Sequence, residues 1–174
     1  MSVKFDILKK SEVQSSEDFA EVSALANKFR ELLNNPQIEN EIASVHCLGG
    51  LSTQIQAAVL PGAEALGFTS EKAGLFNDYA VSALRPDYYK KTRHSGVLLE
   101  VERGKTISNN MDILDFWKCH ICDNANYLFL LVPQMRHAKN GRPTYPYKQV
   151  KDRLSTFFIP KNYVNVEGVF LFGY

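Results

Sequence analysis

Glu100 and Glu102 stand two residues apart at the end of the run Gly96-Val-Leu-Leu-Glu-Val-Glu102. In a strand, side chains two apart share a face, so both carboxylates point the same way from a segment whose start, Val97-Leu98-Leu99, reads as buried. An ionised carboxylate taken out of water without a partner is strongly unfavourable, so something must compensate them. Arg85-Pro-Asp-Tyr-Tyr-Lys-Lys91 precedes the polar Thr92-Arg-His-Ser95, which is the pattern of a hairpin closed by a four-residue loop. Antiparallel pairing keeps the sum of paired residue numbers constant, here 187 if Lys91 meets Gly96, and that sets Asp87 opposite Glu100. Like charges so placed repel, and a divalent cation is the simplest partner that would hold three converging acids together. Hard oxygen ligands without Cys or His favour Mg²⁺, with Mn²⁺ able to substitute, over zinc. Arg103-Gly-Lys105 adds a turn with two cations, where a phosphate approaching such an ion would be stabilised.

Pro86-Asp87, a gap of twelve residues, Glu100-Val-Glu102, then an amphipathic helix and a buried strand resemble the PD-(D/E)XK nuclease superfamily, especially type II restriction endonucleases with Glu in place of the motif lysine. The resemblance covers about residues 70 to 133. It implies that Asp87 and Glu100 are the two metal-binding acids and that Glu102 fills the third motif position. Because Glu cannot lend positive charge to a phosphate, Glu102 would bind metal or orient the attacking water, and Lys105 is the candidate for the missing charge. Glu71 matches the place where several members carry an accessory metal-binding acid. The implied activity is Mg²⁺-dependent hydrolysis of phosphodiester bonds in double-stranded DNA, with water activated by metal and no covalent intermediate. Cutting both strands of a two-fold symmetric site calls for a homodimer. Two other readings fit the same residues. One is a non-catalytic nucleic-acid-binding or assembly module whose acids pair with Arg85, Arg103 and Lys105, and the other is a nuclease for structured or damaged DNA, or for RNA.

Charge is unevenly distributed. Residues 1–78 carry 6 Lys/Arg against 11 Asp/Glu, a balance of −5, and residues 79–174 carry 14 against 8, a balance of +6. Within the second half, Arg136-His-Ala-Lys139-Asn-Gly-Arg142 concentrates side chains that contact phosphates and base edges. With Lys148, and with Arg103 beside the acids, Arg136, His137, Lys139, Asn140 and Arg142 form the candidate DNA-contacting set; a solvated basic loop is the plainer alternative. Cys119-His-Ile-Cys122 has zinc-like spacing but lies inside a helical pattern, so core packing is expected.

Helices and strands must position these groups. Phe19, Val22, Leu25, Ala26, Phe29, Leu32 and Leu33 recur at helical spacing behind Ser15 and Ser16. Further helices are expected over Ile38–Val45, from Ser52 or Thr53 until Pro61-Gly62 interrupts it, and from a Thr69 or Ser70 cap through Tyr79. After the hairpin come a helix behind Asn109-Asn110, a strand at Tyr127–Pro133 covered on both faces, a polar loop to Tyr147, a helix over Lys148–Phe158 and a strand over Val166–Phe172. This order predicts an α/β or α+β fold, a central mixed sheet flanked by helices. A single domain is expected from 174 residues, with 1–66 mainly helical, 67–133 as the catalytic core and 134–174 as basic loop, helix and final strand. A hydrophobic share of 45% and a charged share of 22% exclude a disordered or low-complexity chain. No apolar run has bilayer-spanning length, so a soluble, cytoplasmic protein without disulfides is expected, with no membrane partner.

Overall fold

The computed structural model describes residues 2–47, 49–70, 74–80, 84–138 and 140–174. A strand, β1 (Lys4–Lys9), opens the chain. Helix α1 (Glu17–Leu33) follows, with the Ser16 side chain accepting from the Phe19 N–H at 3.0 Å. Asn35 caps α2 (Pro36–Val45) through Gln37 N–H, and Pro36 sits in its first turn, where a missing N–H costs nothing. Helix α3 (Ser52–Ala65) runs through Pro61 and Gly62 without a break. A Cβ at Gly62 would collide with the Leu32 side chain of α1, so this glycine serves helix packing rather than helix termination.

Next come β2 (Thr69–Ser70), β3 (Tyr88–Lys91), β4 (Gly96–Val101), α4 (Met111–Ile121) and β5 (Tyr127–Val132). The short strands β6 (Arg136–His137) and β7 (Pro143–Thr144), then α5 (Pro146–Ser155) with a 3-10 turn to Phe158, and β8 (Gly168–Gly173) complete the chain. The main sheet has six strands in the order β1-β8-β5-β4-β3-β2, and β6 pairs with β7 separately. Its centre, β8-β5-β4, is parallel, whereas β1, β3 and β2 join antiparallel. The mixed α/β sheet flanked by helices matches the expected fold class.

Every residue of β4, β5 and β8 is buried, because helices cover both faces. Alternation divides each strand. Val97, Leu99, Val101, Phe129, Leu131, Phe170 and Phe172 pack toward α1 and α3, with Phe29 edge-on to Phe172 at 5.0 Å. Leu98, Leu128, Leu130, Val169 and Leu171 pack toward α4 and α5, joined by Phe116, Val150 and Leu154. Each large apolar side chain so buried contributes about 1.5–3 kcal/mol.

Beyond the unbroken α3, the elements differ from the expected ones at further points. The strand β1 was not anticipated, because an edge strand with only partly buried residues lacks an apolar signature. Thr69 and Ser70 pair with Tyr89 and Tyr88, residues 74–80 form turns and bends rather than the expected helix, and residues 71–73 of that helix lie outside the described residues. The loop after β5 contains the β6–β7 hairpin. Helix α5 starts two residues earlier than expected and is α-helical only to Ser155.

Candidate active site

The hairpin of β3 and β4 has the register read from the sequence, with Lys91 opposite Gly96 and Tyr88 opposite Leu99. Its turn is fastened to α1, where Thr92 donates to the Asp18 carboxylate at 2.9 Å and the Arg93 N–H donates to Glu21 at 3.2 Å. Asp87 lies one residue before β3. Its N–H donates to Glu100 Oε2 at 3.2 Å, and its Oδ2 accepts from the Val101 N–H at 2.8 Å. Two of the expected residues, Asp87 and Glu100, are thus neighbours, joined through the Asp87 backbone N–H. Glu102 follows β4; its N–H donates to the Leu131 carbonyl at 2.8 Å, and its carboxylate accepts from Thr106 Oγ1 at 3.3 Å.

Period two turns Glu100 away from α1 and toward α4, and there it meets groups that the sequence reading did not select. Lys118 Nζ contacts Glu100 Oε1, pairs with Asp115 at 2.9 Å and reaches the Arg85 carbonyl at 3.4 Å. Lys118, Asp115 and Asp112 are buried on one face of α4 at three-residue steps, whereas Leu114 and Trp117 are 38% and 41% exposed. The buried side of α4 therefore mixes these three charged groups with Phe116 and Cys119. Asp112 is paired at 3.5 Å with Arg153 of α5. The spacing 112, 115, 118 was the available signal, but the same spacing describes an ordinary solvated face.

The acids are short of positive charge. Burial pushes Asp87 up, opposed by the Val101 N–H, Lys118 and Gln56. Burial and then Asp115 raise Glu100 well above the carboxylate range, against Lys118. Burial, Asp115 and Asp87 push Glu102 up to about 8, and burial carries Asp115 to about 6. Burial disfavours the Lys118 ammonium, but Glu100 and Asp115 outweigh it and raise its pKa. Hard carboxylate oxygens with unmet demand for positive charge fit a divalent ion such as Mg²⁺ in donor chemistry. As they stand, no three His, Cys, Asp or Glu side chains among the described residues are gathered closely enough to ligate one ion.

Of the other expected site residues, Lys105 is exposed, and the cation inside the cluster is Lys118. The Arg103 guanidinium is engaged by the Cys47 and Gly50 carbonyls between α2 and α3, which removes it from the outward-facing basic set. His137, Asn140, Arg142 and Lys148 are exposed, and Arg136 is half-buried in β6. The carbonyl of Met135, next to it, accepts from His46 Nε2 at 2.9 Å, which ties the base of the β6–β7 hairpin to the end of α2. Glu71 and Lys139 lie outside the described residues. Cys119 on α4 and Cys122 just after it are buried in the core, as packing residues would be. Among the described residues, no helix is long and apolar enough to cross a membrane.

No protein-family model matches the chain, and no curated protein sequence matches it. Among solved structures, it is similar to the restriction endonuclease BglII complexed with a DNA 16-mer, with a TM-score of 0.51 and 14% identity over 98% of this chain and 77% of that one. The fold is restriction endonuclease-like. On this restriction endonuclease-like fold, the acids gather where a central parallel strand, β4, ends beside an antiparallel hairpin.

Proposed function

We propose that the protein is a Mg²⁺-dependent endonuclease of restriction type that hydrolyses phosphodiester bonds in double-stranded DNA. The observation that supports this reading is the contact of half-buried Asp87 with buried Glu100, with Glu102 two residues further on, at the end of β4 on a restriction endonuclease-like fold. Asp87, Glu100 and Glu102 would hold the ion, which when bound supplies positive charge to the scissile phosphate and acidifies a water. Glu102, half-buried just after β4, would bind the ion or orient the attacking water. Lys118 supplies the fixed cation that the third motif position lacks. His137, Asn140, Arg142 and Lys148 would meet the DNA, and the enzyme would act as a homodimer on a two-fold symmetric site.

The test is cleavage of supercoiled plasmid with Mg²⁺, in which Glu100→Ala should reduce the rate on the order of a thousandfold. Equal rates for both proteins, or no cleavage of any DNA, removes the proposal. One observation favours the second reading, a non-catalytic module: Lys118 already contacts Glu100. Calorimetric titration with Mn²⁺ separates the two, since a module with a satisfied acid cluster should give no heat of binding.

A further inference from the structure

Beside the acids, a second group of side chains collects positive charge. Tyr174 donates its hydroxyl to the Glu102 carbonyl at 3.0 Å, and its ring stands edge-on to the His46 ring at 5.1 Å. His46 Nε2 donates to the Met135 carbonyl at 2.9 Å, and Thr144 Oγ1 donates to the Arg136 carbonyl at 3.1 Å, so the backbone that carries Arg136 is pinned from two sides. The Arg136 side chain reaches back to the turn after Glu102, where a Cβ on Gly104 would meet its Nη1 at 3.9 Å. Arg103 lies on the same turn, with its guanidinium donating to the Cys47 and Gly50 carbonyls and its Nε buried without an acceptor.

This charge is not balanced. Among the described residues, neither guanidinium is paired with a carboxylate, and that of Arg136 has no hydrogen-bond partner. Burial holds the His46 imidazole below its usual range; the Met135 carbonyl opposes this, and Arg103 and Arg136 add to it. Cations gathered without a counter-charge repel, and an anion relieves them. Arg103 is fixed by two carbonyls and contributes charge alone, whereas the half-buried Arg136 keeps a free planar fork, which matches two oxygens of a phosphate.

We propose that Arg136, supported by the fixed charge of Arg103, is a phosphate clamp that takes a backbone phosphate of the nucleic acid beside the acid site. This rests on the nucleic-acid reading above and deepens it by giving the turn after Glu102 a phosphate contact of its own. Phosphate contacts set register, so a clamp on a pinned strand within a few residues of Glu102 fixes where the neighbouring phosphodiester falls relative to Asp87 and Glu100.

Two measurements on the full chain in EDTA test the clamp without using cleavage. In the first, the His46 ring is titrated by NMR in chloride buffer, with exposed His94 as reference. Inorganic phosphate should raise the His46 midpoint, because a bound anion favours the imidazolium, and Arg136→Met should abolish that response. In the second, fluorescence anisotropy with duplex DNA should show Arg136→Met weakening binding on the order of tenfold and lowering the log–log salt slope by about 1. Arg136→Lys should recover the slope but not the full affinity, since it keeps the charge and loses the fork. A His46 midpoint that ignores phosphate overturns the clamp, and this result stands even if neither variant folds. A phosphate response with DNA affinity unchanged in Arg136→Met overturns the nucleic-acid assignment and leaves a site for free phosphate. Failure of plasmid cleavage with both responses present removes the nuclease reading and leaves the clamp in place.

Discussion

Glu102 is the acid whose protonation should be visible near neutral pH. Burial first, then Asp115 and Asp87, lift its carboxyl to about 8, so the folded chain keeps a proton there that the unfolded chain releases in the ordinary carboxylate range. A raised carboxyl pKa means that ionisation costs folding free energy, and stability should therefore fall as pH rises from about 5 to about 8. On the proposed metal-dependent reading a divalent ion would reverse this, because it would compete with the proton for the same oxygens. Mn²⁺ affinity should climb through pH 8, with proton release seen as a calorimetric enthalpy that depends on the buffer's ionisation heat. Glu102→Gln should flatten both profiles. A buffer-independent enthalpy at pH 7 would show that the proton and the ion do not share this site.

At the level of elements, the hairpin that carries the acids depends on a close approach at its turn. A Cβ on Gly96 would collide with the Asn124 carbonyl and the Tyr89 ring, and the backbone contact cannot rotate away. Gly96→Ala should cost about 1–3 kcal/mol, read as a lower denaturant midpoint at unchanged slope, with cleavage reduced because β4 sets where Glu100 stands. Unchanged stability would mean that this turn is not tightly held. The pairing of β3 with β4 was legible because a polar four-residue loop between two strand-like stretches, Tyr88–Lys91 and Gly96–Val101, fixes register by counting alone. The α4 partners were not, because Asp112, Asp115 and Lys118 look solvent-facing unless one knows that Glu100 comes to meet them from a strand 18 residues away in sequence. Similarly, β1 is defined by its pairing with β8 across the whole chain, from Lys4 to Gly173, and its own residues give little sign of it.

Across the whole molecule, the sequence's charge asymmetry becomes a difference between two sides. Helices α1 to α3, all from the acidic first half, cover one face of the sheet, and α4 and α5 cover the other. Of the 8 acids in the second half, Glu100, Asp112 and Asp115 are buried, so the surface of that half is more basic than its formal balance of +6. Arg142 and Lys148 are exposed, as are His137 and Asn140 of the β6–β7 hairpin region. A protein that neutralises phosphates releases condensed counterions, so its affinity for DNA falls steeply with salt, with a log–log slope of about 0.9 per contact. Fluorescence anisotropy with duplex DNA in EDTA, between ~50 and ~200 mM salt, should show this dependence. Arg142→Ala and Lys148→Ala should each weaken binding for every sequence tested and reduce the slope by about 1. His137→Ala and Asn140→Ala should leave the slope unchanged and narrow the gap between preferred and other sequences by about 1–3 kcal/mol per lost base contact. If the slope survives removal of both cations, the DNA lies against another part of the surface, and the basic hairpin is only a solvated loop.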